Sequence, residues 1–251
     1  MTSFKDHFSG EPANYQKYRP QYPHSLFQWL ASSTQSNDLA WDCATGNGQA
    51  AVSLSTHFQQ VIATDGSQQQ IESAMVRPNV HYAVARETCA EIGDATVDLI
   101  TVAQALHWFD TSVFFKEADR VLRPGGLLAV WSYNLLKIES AIDDLLSRFY
   151  YETLGAYWPA ERRLVEQGYE SISMPFTPFE SPDFEMIQHW RREHLLGYLS
   201  TWSAVKRYRE NHADDPFAEL ADKLSALWPE NEVLTVRWPL TVRTTRKTRM
   251  M

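Results

Sequence analysis

The segment Trp41-Asp42-Cys43-Ala44-Thr45-Gly46-Asn47-Gly48-Gln49 constrains the fold of this chain more than any other. It predicts a strand that ends on an acid, turns through a Gly-x-Gly loop and enters a helix. A helix N-terminus reached through small residues can host a ligand's polar groups, because its first N–H groups lack partners and point outward. Val61-Ile62-Ala63-Thr64-Asp65 then repeats the strand-then-acid pattern. An acid in that position is placed to accept hydrogen bonds from both hydroxyls of a ribose. Together the two segments predict an α/β chain with a nucleoside-bearing ligand.

The first half alternates strand-like and helix-like segments at short intervals, as parallel βα units do. A helix is predicted over His24 to Ala31, with Leu26, Phe27 and Leu30 on its apolar side, ahead of a first strand ending at Asp42. Ala51, Val52 and Leu54 mark the helix after Gly48. Val61 to Thr64 is the second strand, and Ser67 with Gln70 three residues on has the spacing of a capping box. Val80 to Ala85 and Val97 to Val102 are the third and fourth strands; the almost unbroken apolar run of the latter suits a strand buried on both faces. Asp110 or Thr111 caps a helix through Phe114, Phe115, Ala118 and Val121, which Arg123-Pro124-Gly125-Gly126 ends before a fifth strand over Leu127 to Trp131.

The second half follows other patterns. Ile138 to Leu154 is predicted as a helix, Ser181-Pro182-Asp183 as a helix start, Ser200 or Thr201 as another, and Asp215-Pro216 as a third running to Leu227. Val233 to Val242 alternates like a strand, bent or at an edge because of Pro239, with Ser171 to Phe179 as its antiparallel partner. The chain is accordingly divided into an N-terminal cap (1–37), a Rossmann-like core (38–135) and a helical lid with closing antiparallel strands (136–251).

Length and charge narrow the function. The 251 residues can bury a large core. The formal charge of −8 argues against a general nucleic-acid binder. The one basic cluster, Arg243 to Arg249, is expected to be a solvated strand end and tail. Lys5, Asp6 and His7 are followed by no apolar run, so no secretory signal is expected, and no apolar segment approaches the length of a membrane span. The two cysteines, Cys43 and Cys89, have no metal or redox spacing; both are expected reduced, in a cytoplasmic protein, with Cys43 a small core residue.

The nucleoside follows from two features. Ala51 stands at the third glycine position of a dinucleotide loop, which leaves that motif weak. Asp42 lies just before the loop, where its charge repels a pyrophosphate but can receive an ammonium group, and no second mononucleotide-binding half is present. A zwitterionic amino-acid tail, a sulfonium and a ribose suit the site better, and these are the parts of S-adenosylmethionine.

In Trp41–Gln49, Val61–Asp65, Thr96–Thr101 and Arg120–Gly126 the chain resembles the class I S-adenosylmethionine-dependent methyltransferases, over residues 38–131. Gln104-Ala105-Leu106-His107-Trp108-Phe109-Asp110, Tyr15 to Pro23, Thr201-Trp202-Ser203 and Trp238-Pro239-Leu240 resemble the small-molecule branch that includes trans-aconitate-type methyltransferases. The resemblance implies a seven-stranded, mostly parallel sheet with helices on both faces, its last pair antiparallel, and an inserted helical lid. It implies that Asp42, Ala44, Gly46 and Gly48 line the methionine end of the cofactor, Asp65 holds the ribose, Gly66, Glu87 and Thr88 meet adenine, and Gln104 and Ala105 sit beside the sulfonium. Ala44 departs from the family's pattern, which has glycine there.

Methyl transfer from a sulfonium is an in-line displacement, so the protein mainly aligns the acceptor and excludes water. A carboxylate acceptor needs only positioning, whereas a hydroxyl or amine needs a base within reach. His107 is the candidate to orient or deprotonate the acceptor; the alternative is a structural wall with Trp108 and Phe109. Tyr18, Arg19 and Tyr22 are candidates for a cap over cofactor and substrate, Arg19 pairing with a carboxylate or fixing the cap. Trp108, Trp190 and Trp202 are candidate substrate walls. No metal is expected, and the oligomeric state, monomer or homodimer, stays open. A non-catalytic cofactor-binding protein and a dinucleotide-dependent oxidoreductase are the alternative functions.

Overall fold

Five apolar segments of the first half form the parallel part of one sheet in the computed structural model, which describes residues 18–89 and 91–248. They are β1 (Leu39–Cys43), β2 (Gln60–Asp65), β3 (Val80–Val84), β4 (Val97–Ala103) and β5 (Leu122–Tyr133). Their order is β3-β2-β1-β4-β5, so the chain builds outward from β1, crosses back and continues on the other side. Register places Trp41 beside Ile62 on one side and Ile100 on the other. Such a reversal opens a crevice at the carboxyl ends of the central strands. β4 is buried along nearly its whole length, as its apolar run requires.

The connecting helices are α1 (His24–Ser33), α2 (Gln49–Leu54), α3 (Gln68–Glu72) and α4 (Thr111–Val121). Ser67 Oγ accepts the Gln70 N–H at the start of α3, and Asp110 Oδ1 accepts the Ser112 and Val113 N–H groups at the start of α4. Arg123-Pro124-Gly125-Gly126 ends α4 and belongs to β5 rather than to a loop before it. Arg123 pairs at 2.9 Å with the buried Asp98, which also accepts the N–H groups of Asp38 and Leu39. That pair fastens the start of β1 to β4 and β5, and removing Arg123 leaves the buried Asp98 carboxylate without its cation.

The second half corrects several expectations. The strand pairing with the final strand β8 (Leu234–Arg246) is β7 (Phe184–Trp190), in the register Met186 to Trp238. Ser181-Pro182-Asp183 therefore precedes a strand, not a helix. Within Ser171–Phe179 only β6 (Thr177–Pro178) touches β8, at its far end. Trp190, Met186, Val236 and Trp238 are buried on this antiparallel pair, an alternation that favours a strand over the proline-led helix start. β8 runs antiparallel to β5, so seven mostly parallel strands form the sheet, with β6 as a short addition at the edge.

The inserted helices are α5 (Ser140–Arg148), α6 (Arg162–Glu166), α7 (Arg192–Ser200), α8 (Ser203–Asn211) and α9 (Phe217–Leu227). The predicted helix over Ile138 to Leu154 begins as α5 and ends in a π-turn over Phe149–Thr153. Leu195, Tyr198, Leu199, Trp202, Leu220 and Leu224 of these helices share one apolar cluster with Leu127, Ala129 and Trp131 of the sheet and Phe27 of α1. Cap, core and lid are thus segments of chain order built on shared apolar packing.

The basic cluster at the end of β8 also differs from its expected solvated state. Arg243 donates to the Ile172 and Tyr169 carbonyls, Arg246 to those of Gly125 and Ser33, and Lys247 Nζ to that of Leu122. Arg249 and Tyr15 lie outside the described residues. Among the described residues no helix is long and apolar enough to cross a membrane.

Candidate active site

A cleft of about 1200 Å³ opens at the carboxyl ends of β1, β2, β4 and β5. Pockets for one small ligand run to roughly 1,000 Å³, so this one is at the large end for a single ligand. Sheet-edge loops contribute Ala44 to Asn47, Asp65 to Ser67, Arg86, Glu87, and Gln104, Ala105, His107 and Trp108; the inserted half contributes Trp158, Arg162, Tyr198 and Trp202.

The glycine-rich turn is held in an unusual shape. Ala44, Gly46 and Gly48 all have positive φ, at 58°, 56° and 88°. Ala44 thus adopts the left-handed conformation that glycine tolerates more easily, a strain on the order of 1 kcal/mol. Two acids hold it there. Asp65 Oδ2 accepts the Gly46 N–H at 2.8 Å and Oδ1 accepts the Ser67 N–H at 2.8 Å. Asp42 accepts the hydroxyls of Thr45 at 2.5 Å and Thr101 at 2.7 Å.

Asp42 is a correction. It is completely buried beneath the turn and does not line the cleft. Burial pushes its carboxyl up to about 6 from the ordinary 3.8, against the pull of the two hydroxyls. Its contribution is to shape the turn. Gly48 also stays out of the cleft: a Cβ there meets Tyr82 Oη at 2.2 Å, so the glycine makes room for Tyr82. Thr88, Tyr18 and Trp190 lie outside the lining as well. The Tyr18 ring packs where a Cβ on Gly197 of α7 would stand. Trp190 is buried against Tyr198 and Trp238, at 5.6 and 4.9 Å between ring centres, which makes it a core residue behind the cleft.

Gln104, with φ 55°, clamps β4 to β5: its side chain donates to the Tyr133 carbonyl and accepts the Tyr133 N–H, each at 2.9 Å. Tyr22 and Arg19 both line the cleft beside Tyr133. Arg19 donates to Tyr133 Oη at 2.9 Å and lies 5.3 Å over the Tyr198 ring.

His107 sits in the 3-10 turn Leu106–Trp108, with its Nδ1 3.0 Å from Tyr169 Oη and its ring 4.6 Å from Trp108. Burial, with Arg162 nearby, pulls its pKa down to about 3, so the imidazole is neutral at any physiological pH. A base this weak suits hydrogen bonding to an acceptor better than proton removal.

Trp158, Arg162, Tyr133 and Tyr169 escape sequence reading. Tyr169 reaches His107 from sixty-two positions away.

S-adenosylmethionine fits the residues present. The turn offers small residues, Asp65 stands at the ribose-type position, and a Cβ on Gly46 would have no neighbour nearer than 3.8 Å, so that side is open. Comparison with known proteins agrees. A family model described as a methyltransferase domain matches residues 41–130. A protein of Dictyostelium discoideum described as a methyltransferase is 33% identical over 247 residues, covering 95% of this chain and 94% of its own. The solved structure of an Anaeromyxobacter dehalogenans protein described as a type II methyltransferase is 39% identical with a TM-score of 0.88, covering 93% of this chain and 100% of that one. The Bacillus subtilis YcgJ structure, 14% identical at a TM-score of 0.52 over 91% of this chain and all of its own, shares the fold. The chain belongs to the class I S-adenosylmethionine-dependent methyltransferases.

Proposed function

We propose that this enzyme methylates a small-molecule acceptor, a carboxylate or hydroxyl compound, in the manner of the trans-aconitate-type branch, and that it works in the cytoplasm. The carrying observation is the single cleft in which the Asp65 turn and the aromatic wall of the inserted helices face one space of about 1200 Å³. A concave, aromatic-lined cleft suits a small acceptor better than a nucleic acid, as does the net charge of −8.

S-adenosylmethionine supplies a methyl group already activated on a sulfonium. This chain's residues do the rest. Ala44, Gly46, Gln104 and Ala105 offer backbone and small side chains to the methionine part; Asp65 receives ribose hydroxyls; Gly66 and Glu87 flank the base. Tyr22, Trp108 and Trp202 hold the acceptor and exclude water. His107, neutral and tied to Tyr169, orients the acceptor by a hydrogen bond.

The test is calorimetry of the full chain with S-adenosylhomocysteine and NAD, followed by a metabolite-extract screen using cofactor with a labelled methyl group. Micromolar binding of S-adenosylhomocysteine, no NAD binding and label in a low-mass product are expected. Label appearing only in macromolecules overturns the small-molecule reading.

A further inference from the structure

Arg162 lines the cleft and is held there by neutral groups. Arg86 and Arg209, which also line it, pair with Glu87 at 3.4 Å and Asp215 at 3.2 Å. Arg162 has no carboxylate within ion-pair distance among the described residues, although the chain carries 31 acids against 23 lysines and arginines. Neutral groups fix it instead. Its Nε donates to Tyr150 Oη at 2.8 Å and its Nη2 to Asn134 Oδ1 at 3.0 Å. Its guanidinium lies 5.2 Å from the Trp158 ring centre and 5.7 Å from that of Tyr150.

The support is itself specific. The π-turn over Phe149–Thr153 closes a bond from the Leu154 N–H to the Phe149 carbonyl, and the Tyr150 carbonyl accepts the Trp158 indole N–H at 3.1 Å. Tyr150 and Trp158 then stack at 4.6 Å. π-turns of this kind recur at functional sites. The nearest bonded acid, Glu166, accepts the Tyr150 hydroxyl and reaches Arg162 only through it. A guanidinium has five N–H donors, and the protein uses two of them here.

We propose that Arg162 anchors a carboxylate of the acceptor, so that this enzyme selects small organic acids, with Trp158 and Trp202 covering their apolar part. The inference rests on the reading of this cleft as the acceptor site. A planar fork held rigid by stacking matches a carboxylate's two oxygens and loses little freedom on binding. Trp202 lies 5.4 Å from Trp158 across the same wall, and His107 lines the same cleft as an uncharged neighbour. Arg162 thus stands against an aromatic wall of the cleft with no acid bonded to it among the described residues.

The experiment saturates the full-length enzyme with S-adenosylhomocysteine and titrates it with acetate, succinate and phenylacetate and with their amides, following tryptophan fluorescence and heat. At least one acid is expected to bind about ten- to a hundred-fold tighter than its amide, the range for charge-assisted hydrogen bonds. Arg162→Met should abolish that preference while S-adenosylhomocysteine affinity stays within about two-fold, on the ground that a distant cofactor contact is unaffected. Arg162→Lys keeps the charge but not the fork and should retain only part of the preference; it decides the matter if Arg162→Met does not fold. No acid preferred over its amide by the native enzyme, or a full preference kept by either variant, overturns the proposal. Failure of the native enzyme to bind S-adenosylhomocysteine overturns the functional reading instead.

Discussion

The two sides of the cleft, the glycine turn and the inserted helices facing it, are built by opposite means. The first is a short run of backbone, Ala44 to Asn47, bent by left-handed residues and held from below by Asp42 and from the side by Asp65. The second is a wall of large side chains, Trp158 and Trp202, 5.4 Å apart and backed by the buried Tyr150 at 4.6 and 5.7 Å. A backbone cradle depends on a few residues at fixed spacing. An aromatic wall depends on tertiary packing. The first side therefore tolerates little change, while the second can be reshaped by substituting single side chains.

If that contrast is right, breaking the wall should cost mainly stability. Trp202→Ala is expected to lose about 3–5 kcal/mol of folding free energy, the range for emptying a buried tryptophan site. Chemical denaturation should remain one cooperative transition, because sheet and inserted helices share their apolar cluster. Two separate transitions would show that the halves fold apart.

Asp42→Asn probes the cradle from beneath. The fold raises this carboxyl to about 6 from 3.8, so it favours the protonated form. Stability from this group is fully present below pH 3.8 and is lost as pH rises to about 6, by at most about 3 kcal/mol. The variant should lack that part of the pH profile, and identical profiles for the two proteins would show Asp42 to be unshifted.

Asp65→Ala should leave the wall intact and weaken S-adenosylhomocysteine binding by roughly 1.5–3 kcal/mol, the scale of charge-assisted hydrogen bonds. Its melting temperature should also fall, since the Gly46 and Ser67 N–H groups lose their acceptor. Unchanged affinity in calorimetry means that the acid serves the turn alone.

The smallest effect should come from the junction of the two sides. His107→Gln is expected to lower turnover by about five-fold, near 1 kcal/mol for one neutral hydrogen bond, with cofactor affinity unchanged. Native turnover should show no His107 inflection between pH 6 and 8, because its pKa lies near 3. For the same reason its neutral form stabilises the fold above pH 6.5, and that contribution is lost as pH falls toward 3. An inflection near 6.5 that disappears in the variant would restore His107 as a base.

These contrasts also explain what could be read beforehand. β1 to β5 and the capped starts of α3 and α4 were legible because periodicity and capping act within a few residues. The Phe184–Trp190 strand was hidden by the Ser181-Pro182-Asp183 signal just before it, and its identity depends on pairing with Leu234–Leu240. Asp42 was legible as a site element but not as a buried one, because the hydroxyl of Thr101 comes from another strand. Arg162 gave no signal at all, since its place is set by Tyr150, Trp158 and Asn134.

The sequence by itself determined a parallel α/β core, a glycine turn between two acids and, through them, the methyl donor. Local dihedral preference, capping and strand periodicity act over a few residues, so they survive translation into a one-dimensional pattern. The tertiary structure alone decided which acid supports the turn and which faces the cleft. It also neutralised His107 by burial and set a carboxylate-free arginine among aromatic rings. Desolvation and long-range stacking depend on segments far apart in the chain, and only folding brings those together.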